Sequence, residues 1–431
     1  MTTSPTALRV LISGGGIAGN AVALQLSRAG IRPTVIERAP APRPGGQAVD
    51  LRGPSRTVAD RMGLIPGIRR YQLDERGMLH VDSAGREIVR MPADLFGGNG
   101  AVAEIEITRG DLNRVLLDAI ADAVGEPGNP GVDYRYGESI RDLREFGDSV
   151  RVDFASGTTG EFDLVIGADG LHSATRRLAF GPEEQFSTYL GAYTSYFTMP
   201  TPAGIEPHWM TMYSLPGGIV AGVRPDADPA TAKAMVTIRT DRDPALQSDT
   251  AAQRELIRAS LAAGGWVTGT ILDAMDRAED FYFDEIARIT MPDWTTGRIA
   301  LVGDAGYCGS PMSGQGTAMA LVGAYVLAGE IARTPHDPAA ALARYTEILR
   351  PFVETAQQLP PGGVKGMAPR TKMGIRAAHA SVRLMTSRLM QPLMTRMLSQ
   401  TDSYTLPEYP AGTTVPIHLR AGADTTRTTP H

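Results

Sequence analysis

The feature that most constrains how this chain can fold is a glycine-rich motif close to its first residue. The motif reads Gly14-Gly15-Gly16-Ile17-Ala18-Gly19. The apolar run 8–12 before it predicts a β-strand, and the Ala- and Leu-rich run 17–28 after it has the apolar spacing of a helix. The glycines permit a tight turn, close approach of backbone amides to a pyrophosphate, and close packing of helix on strand. Because a helix N-terminus also favours an anion, the motif indicates dinucleotide binding.

An acidic residue follows at the position that such a unit requires. The run 33–37 predicts the next strand and ends in Glu37, where a carboxylate can accept hydrogen bonds from a ribose diol. Arg38 comes next, and this pair alone does not distinguish NAD from FAD. A bare tight turn is the structural alternative, but strand, glycines, helix and acid together favour an α/β dinucleotide-binding fold.

Two further glycine-anchored motifs lie downstream. The segment 163–176 begins as a buried strand and turns at Asp169-Gly170, and another strand ends in Gly303-Asp304-Ala305. The loop 311–316 and a predicted long helix follow this second strand. A second complete strand–GxGxxG–helix unit is not found, so the sequence predicts no separate NAD(P)H domain.

These three motifs, in this order, resemble those of the group A flavoprotein monooxygenases over residues 8–360. That family includes para-hydroxybenzoate hydroxylase-like enzymes and the tetracycline-inactivating monooxygenases, and the present chain is most similar to the tetracycline-inactivating and polyketide hydroxylase branch. The resemblance implies a Rossmann-like FAD-binding domain interleaved with a β-sheet substrate domain, plus a C-terminal bridging helix.

The resemblance and the local patterns together predict how the chain is divided. FAD-binding segments are expected at 1–72, 104–180 and 285–365, substrate-domain segments at 73–103 and 181–284, the bridging helix at 366–400, and an extended or disordered tail at 401–431. Apolar spacing predicts helices over 54–62, 108–124, 250–262, 316–332, 342–358 and 373–398, with Pro392 as a kink or break, and a β-meander over 132–166.

Cofactor-binding roles carry over from the family to positions in all three motifs and in two flanking segments. They are Gly14, Gly16, Ile17, Ala18, Gly19, Glu37, Arg38, Asp50, Arg109, Asp169, Gly170, Gly303, Asp304, Pro311, Gly314 and Gly316. The resemblance implies that Glu37 binds the adenosine ribose, Arg109 the phosphate or ribityl groups, and Asp304 the ribityl chain or pyrophosphate. Each charged residue also has a structural alternative: Asp169 as a turn former, Asp304 as a cap, and Arg109 as a partner of Asp111.

The implied chemistry belongs to the cofactor. NAD(P)H would reduce tightly bound, non-covalent FAD, and O2 would form a flavin 4a-hydroperoxide that transfers one oxygen atom to a substrate. Pro311, Gly314 and Gly316 form the flavin-side loop and helix start, whose amides would stabilise the negative charge of the reduced flavin. No side-chain acid or base is assigned. Tyr307 stands where many relatives have His, and Cys308 is expected to be a packed thiol, with a covalent flavin link as the alternative.

The substrate is expected to be a bulky aromatic or polyketide-like small molecule, such as an antibiotic or secondary metabolite. Candidate pocket residues are Met212, Tyr213, Arg224 and Phe283, each of which also has an ordinary structural role as its alternative. The alternatives for the whole protein are an FAD-dependent reductase or desaturase of the same fold and a non-catalytic flavin-binding sensor. Incorporation of an oxygen atom from O2 into the product distinguishes a monooxygenase from both alternatives.

Composition excludes several other classes. The net charge of −5 and the lack of a Lys/Arg-rich block give no basis for nucleic-acid binding, and the single Cys308 excludes a disulfide framework. The seven His have no metal-ligand spacing, so no metal is expected. The longest nearly apolar stretch, 317–329, is too short to span a bilayer, so the expected location is the cytoplasm, without membrane partners. The oligomeric state stays open.

Overall fold

The computed structural model describes residues 8–43, 45–95, 103–387, 389–391 and 404–409. The strands, in chain order, are β1 (Val10–Ser13), β2 (Pro33–Glu37), β3 (Ala48–Asp50), β4 (Gly77–Val81), β5 (Glu87–Pro92), β6 (Glu106–Thr108), β7 (Asp133–Tyr136), β8 (Ile140–Phe146), β9 (Ser149–Phe154), β10 (Thr159–Phe162), β11 (Leu164–Gly167), β12 (Ser187–Pro200), β13 (Trp209–Leu215), β14 (Ile219–Pro225), β15 (Thr231–Ile238), β16 (Tyr282–Ile289), β17 (Thr295–Thr296) and β18 (Ile299–Leu301). The helices are α1 (Ile17–Arg28), α2 (Gly53–Arg61), α3 (Ile65–Arg70), α4 (Arg109–Ala123), α5 (Ala174–Ala179), α6 (Thr250–Leu261), α7 (Thr268–Met275), α8 (Asp304–Tyr307), α9 (Gly316–Arg333), α10 (Pro338–Ala356), α11 (Gly363–Met367) and α12 (Lys372–Met385). Short 3-10 turns occupy Glu183–Gln185, Pro244–Gln247 and Pro311–Ser313.

A six-stranded sheet brings the three glycine-anchored motifs to one edge. Its order is β17-β18-β11-β1-β2-β7, and the strands from β18 to β7 are parallel. The carboxyl ends of neighbouring parallel strands meet at one edge, where α/β folds bind ligands. Gly14 follows β1, Glu37 ends β2, Asp169 follows β11, and Gly303 follows β18.

The parallel sheet is the middle of three layers. Helices α1, α4, α9 and α10 pack against one face through a large apolar core, and an antiparallel sheet of β8, β9 and β10 covers the other face. The segment 132–166, predicted as a single meander, divides between the two sheets because β7 and β11 join the parallel one. All four residues of β11 are buried, as expected for an interior parallel strand, whereas only Ile140 of β8 is buried.

A seven-stranded sheet forms the second half of the molecule. Its order is β16-β12-β15-β14-β13-β4-β5, so it joins strands from two distant stretches of the chain. Helices α6 and α7 pack on one face, where Phe197, Tyr213 and Val223 are buried. The opposite face, which carries Met212 and Arg224, is called the inner face below; Arg224 bonds there to residues of β6 and β3.

The helix predicted over 373–398 is shorter in the structure. It ends at Met385, where the hydroxyl of Thr386 donates to the carbonyl of Val382 and that of Ser387 to the carbonyl of Leu384. Such bonds compete with continuation of the helix. Pro392 and residues 392–403 and 410–431, which include most of the predicted tail, lie outside the described residues.

Within the described part of the predicted tail, the segment 404–409 packs on the helices. Leu406 is buried, and the hydroxyl of Tyr409 donates to the carboxylate of Glu330 in α9. Among the described residues, no helix is both long enough and apolar enough to cross a bilayer.

Candidate functional site

The three glycine-anchored motifs touch one another in the folded chain. Gly14 has φ +112°, and a Cβ there would overlap the carbonyl oxygen of Ala168, which belongs to the second motif. A Cβ at Gly19 would overlap the carbonyl oxygen of Gly14. Gly303, in the third motif, has φ +66°, and a Cβ there would lie 3.0 Å from the Cβ of Ala18. Close backbone approach therefore requires glycine at Gly14 and Gly19, and the positive φ favours it at Gly303.

Other motif glycines face open space. A Cβ placed at Gly16, Gly170, Gly314 or Gly316 would meet no atom of the described residues within 4 Å. Helix α1, whose N-cap residue is Gly16, and helix α9, which begins at Gly316, have no side-chain cap on their first amides. Uncapped amides at two helix N-termini beside open space form a cradle for an anionic group. The pyrophosphate and reduced ring of FAD fit this donor set.

The third-motif loop has the conformation needed to expose its amides. Pro311 begins a short 3-10 turn, and Gly314 ends it with φ +63°. The hydroxyl of Ser310 accepts a hydrogen bond from the amide of Met312 at 3.3 Å, which fixes the start of the turn. Predicted catalytic-loop residues Pro311, Gly314 and Gly316 thus lie together at the start of α9.

Glu37 is positioned by the backbone around it. Its carboxylate accepts hydrogen bonds from the amides of Gly15 at 2.9 Å and Ala39 at 2.8 Å. A carboxylate has about four acceptor sites, so capacity remains for two ribose hydroxyls. Arg38, beside it, is exposed at the end of β2.

A polar group behind the glycine motif was not predicted from the sequence. The side chain of Asn20, fully buried in α1, donates to the carbonyl of Gly15 and to the side chain of Asn113, both at 2.9 Å. The hydroxyl of Tyr134 donates to Asn20 at 3.1 Å. An asparagine within the apolar first half of this helix was the available signal, because buried polar groups need partners.

Asp169 closes the turn of the second motif. One carboxylate oxygen accepts from the hydroxyl of Ser173 at 2.5 Å, and the other accepts from the amide and hydroxyl of Thr175 at 2.9 Å. These bonds give Asp169 the structural role considered from the sequence, and its role toward cofactor stays a prediction. Gly170 follows with φ +83°, as a turn of this kind requires.

Arg176 ties the second motif to the third and was not predicted. Its side chain is fully buried, and its guanidinium donates to the carbonyl of Ala305 at 2.9 Å and that of Leu171 at 2.7 Å. Glu183 balances its charge at 2.9 Å. This guanidinium fixes the distance between the Asp169 turn and the Asp304 helix.

His172, also not predicted, connects that turn to the seven-stranded sheet. Its ring nitrogens lie 2.9 Å from a carboxylate oxygen of Glu183 and 3.0 Å from one of Asp284. Hydrogen bonds to Asp284 and Glu183 raise the pKa of His172 to about 10, so the ring is cationic at neutral pH. A histidine inside a cofactor motif was the signal that sequence reasoning passed over.

Asp304 begins α8, whose N-cap position is Gly303, and it does not cap that helix. Burial, reinforced by the charge of Asp304, raises the pKa of the Cys308 thiol well above its usual range. Cys308 is therefore a neutral, packed thiol. Tyr307 is fully buried and its hydroxyl lies 3.0 Å from that of Tyr345, so it belongs to the apolar core.

Arg109 lies where the two halves meet. It is the first residue of α4, and its charge acts on the pKa of Tyr282 in β16. The alternative partner, Asp111, accepts a hydrogen bond from the hydroxyl of Thr108 at 2.6 Å as part of the helix cap. Arg109 is exposed, and its phosphate or ribityl contact stays a prediction.

A buried charge cluster joins the inner face to the cofactor half. Arg224 donates to Glu75 at 2.8 Å, to Glu106 at 2.7 Å and to the carbonyl of Ala48 at 3.1 Å. Burial, followed by the charges of Glu75 and Asp50, raises the pKa of Glu106 to about 7 although Arg224 opposes the shift. Asp50 itself forms an ion pair with Arg52.

The structure does not bring the four predicted substrate residues together. Met212 and Arg224 lie on the inner face, whereas Tyr213 packs on Trp266 and Phe283 stacks on Tyr193 on the α6–α7 side. Successive strand residues point to opposite faces, so neighbours such as Met212 and Tyr213 cannot line one pocket. Arg224 uses its donors within the protein.

A small cavity of about 90 Å³ lies on the α6–α7 side, lined by Leu79, Val81, Thr211 and Trp266 among others. Pockets for drug-sized ligands measure roughly 300–1,000 Å³, so this cavity is too small for a bulky substrate. Within the described ranges, no cluster of three or more His, Cys, Asp or Glu could hold a metal ion.

Comparison with known proteins agrees with this geometry. The family model described as "FAD binding domain" matches residues 7–359. The chain is 42% identical over 361 residues to an uncharacterised protein of Mycobacterium tuberculosis (strain CDC 1551 / Oshkosh), covering 84% of this chain and 94% of that protein. It is 39% identical over 353 residues to a flavin-dependent monooxygenase from an unknown prokaryotic organism, covering 82% of this chain and 88% of that protein.

The solved structures give the same result. The crystal structure of tetracycline destructase Tet(55) matches with a TM-score of 0.76 and 35% identity, covering 94% of this chain and 100% of that chain. The expected resemblance, α/β fold and FAD cofactor are thereby confirmed. This chain belongs to the FAD-binding-domain family of para-hydroxybenzoate hydroxylase-like proteins and is an FAD-dependent monooxygenase.

Proposed function

We propose that this monooxygenase uses NAD(P)H and O2 to add one oxygen atom to a bulky aromatic or polyketide-like molecule of the kind found among antibiotics and secondary metabolites. One structural observation supports the proposed substrate class. Along the inner face of the seven-stranded sheet, Tyr196, Met235 and Met212 are partly exposed, whereas their neighbours in the same strands are buried. An apolar, accessible strip that faces the cofactor half suits a flat hydrophobic ligand.

The similarity to tetracycline destructases supports the same substrate class, because their name describes action on a multi-ring antibiotic. Oxidation of a different polycycle is equally compatible with the inner face.

When bound, FAD supplies electron transfer and oxygen activation. The chain holds and orients it. We assign the amides at the start of α1 to the pyrophosphate, Glu37 to the adenosine ribose, and Asp304 and Arg109 to the ribityl and phosphate region. The amides at the start of α9 would hold the ring and stabilise negative charge there. Cofactor roles for Arg38, Asp50 and the Asp169-Gly170 turn are part of the same proposal.

We also propose the segment boundaries given by the resemblance. Strands β4 and β5 with β12 to β16 would form the substrate domain, and the remaining strands would belong to the cofactor domain. Helix α12, which lies against β5 and β13, would be the bridging helix. A single buried thiol at Cys308 supports a reducing, cytoplasmic location.

The test is a screen of the purified holoprotein. Released FAD is identified first, and polycyclic aromatic and polyketide compounds are then screened for stimulated NAD(P)H oxidation. Under isotope-labelled O2, one labelled oxygen atom is expected in the product. A turned-over product without label would favour a reductase or desaturase, and FAD-bound protein with negligible NAD(P)H oxidation under all compounds would favour a ligand sensor.

A further inference from the structure

One row of side chains crosses the inner face at a single register. Pairing places Tyr196 beside Met235, Met235 beside Gly222, Gly222 beside Met212, and Met212 beside His80. Directly paired residues point to the same face of a sheet. These five residues, called the middle row, therefore run across β12, β15, β14, β13 and β4, a width of roughly 19 Å at the usual strand spacing.

The centre of the middle row is flat and apolar. A Cβ at Gly222 would lie 2.6 Å from the sulfur of Met212, which shows that the Met212 side chain lies across β14. The absence of a side chain at Gly222 is what admits it. With Met235 on the next strand, the surface spans three strands without a charged group, and methionine side chains adapt to ligands of varied outline.

The two ends of the middle row differ. At one end, Tyr196 pairs with Tyr282, and the charge of Arg109, a residue assigned above to the cofactor, acts on the pKa of Tyr282. At the other end, the ring of His80 contacts that of His379 in α12, with 5.3 Å between ring centres. The guanidinium of Arg383 anchors α12 to the carbonyl of Ile88 at 2.6 Å.

His80 carries an unused hydrogen-bonding atom. Its Nδ1 is buried and has no hydrogen-bond partner among the described residues. Burial and the neighbouring His379 lower the pKa of His80 to about 4, so the ring is neutral at pH 7. A neutral imidazole has one donor and one acceptor, and a buried polar atom without a partner is unfavourable. A ligand group that reaches between the sheet and α12 would satisfy it.

We propose that His80, held by His379, recognises a hydroxyl or carbonyl group at the far end of a flat polycyclic substrate whose apolar body lies on Met235, Gly222 and Met212. This inference rests on the proposed function. It names the residue that orients the substrate, so that the ring opposite the polar group faces the cofactor. The preferred substrate is uncharged at that end, because a neutral imidazole offers no ion pair.

The test measures binding to the oxidised, FAD-loaded protein without reductant, using the change in flavin absorbance. The two probes are anthraquinone and 2-hydroxyanthraquinone, which differ in one terminal hydroxyl. The wild-type protein should bind the hydroxylated probe about 5- to 10-fold more tightly, the usual worth of one neutral hydrogen bond. His80→Phe keeps the ring contact with His379 and should abolish the preference while leaving anthraquinone affinity within about twofold.

Two controls make the result specific. His336→Phe changes an exposed histidine between α9 and α10 and should retain the preference. Gly222→Ala should weaken the binding of both probes equally, because the added methyl group displaces the Met212 side chain. Equal affinity of the wild-type protein for the two probes, or a preference that survives His80→Phe, would overturn the proposal. Since binding is read without turnover, the proposed reaction can fail in the oxygen-labelling screen while this result stands.

Discussion

Among the individual side chains assigned to the cofactor, Asp304 gives the most direct test of the assignment. It stands at the start of α8, does not cap that helix, and its charge reaches the buried Cys308 beside it. Its side chain also forms a hydrogen bond with the Cys308 thiol. A carboxylate has about four acceptor sites, so capacity remains for a ligand hydroxyl.

Asp304→Ala should therefore weaken FAD binding by about 10- to 100-fold, the range for a lost hydrogen bond to a charged group. Flavin-fluorescence titration of the apoprotein measures the change. Asp293→Ala, at an exposed aspartate, is the matched control and should bind FAD normally. Full FAD content in Asp304→Ala would refute the assignment.

His172 gives the protein a pH-dependent contribution to stability. Its folded pKa of about 10 exceeds the ordinary 6.5, so its ion pairs stabilise the fold fully below pH 6.5 and are lost as pH rises through about 10. Because the ring is about half exposed, solvent screening limits the effect to about 1 kcal/mol.

His172→Gln should thus be less stable than wild type at pH 7, and the difference should close by pH 10.5. Urea unfolding at both pH values measures it, with His336→Gln as the control. A difference that is the same at the two pH values would mean that the ring acts by packing alone.

At the scale of elements, the strand–turn–helix unit contains two kinds of glycine. A Cβ at Gly19 would overlap the backbone of Gly14, whereas a Cβ at Gly16 would meet no described atom within 4 Å. Packing requires glycine at Gly19. At Gly16, in contrast, we expect the bound pyrophosphate to require it.

Gly16→Ala should leave the apoprotein's melting temperature unchanged and weaken FAD binding at least about 10-fold, because the methyl occupies the path of the pyrophosphate. Gly19→Ala should instead destabilise the apoprotein by about 1–3 kcal/mol, as overpacking does. Calorimetry and FAD titration of the two variants separate the effects. Unaltered FAD affinity in Gly16→Ala would place the pyrophosphate elsewhere.

At the scale of the whole molecule, the Arg224 cluster joins the two halves through buried charge. Two glutamates share one guanidinium, and Glu106 has its pKa raised to about 7 from 4.5. The folded state thus binds more protons than the unfolded state between pH 4.5 and 7, so this group makes stability fall as pH rises through that window.

Glu106→Gln keeps a hydrogen-bond acceptor for Arg224 and removes this titration. Its stability relative to wild type should increase between pH 4.5 and 7.5 by on the order of 1–3 kcal/mol. Urea unfolding across that range tests it, with Glu104→Gln, at an exposed glutamate, as the control. Parallel curves for Glu106→Gln and wild type would show that Glu106 is already ionised throughout.

Local pattern determined much of the cofactor half. The bounds predicted for α1 and β2 are those of the structure, because their signals lie within a few residues: apolar spacing, a glycine stop and a strand ending in an acid. The glycine motifs were equally readable, since each contains a glycine whose backbone has a positive φ. The C-terminal end of α12 could not be predicted, because it depends on hydroxyl groups that compete for backbone carbonyls. The pairing of β7 and β11 could not be predicted either, because it depends on burial between layers.

The sequence by itself therefore predicted the α/β fold and the FAD cofactor from three glycine-anchored turns, because turn chemistry is local. The tertiary structure alone decided which face each strand residue occupies: it separated Met212 from Tyr213, engaged Arg224 with two glutamates, and brought His80 against His379. Those outcomes follow from strand register and long-range packing, which a period-two pattern leaves undetermined until every neighbouring strand is in place.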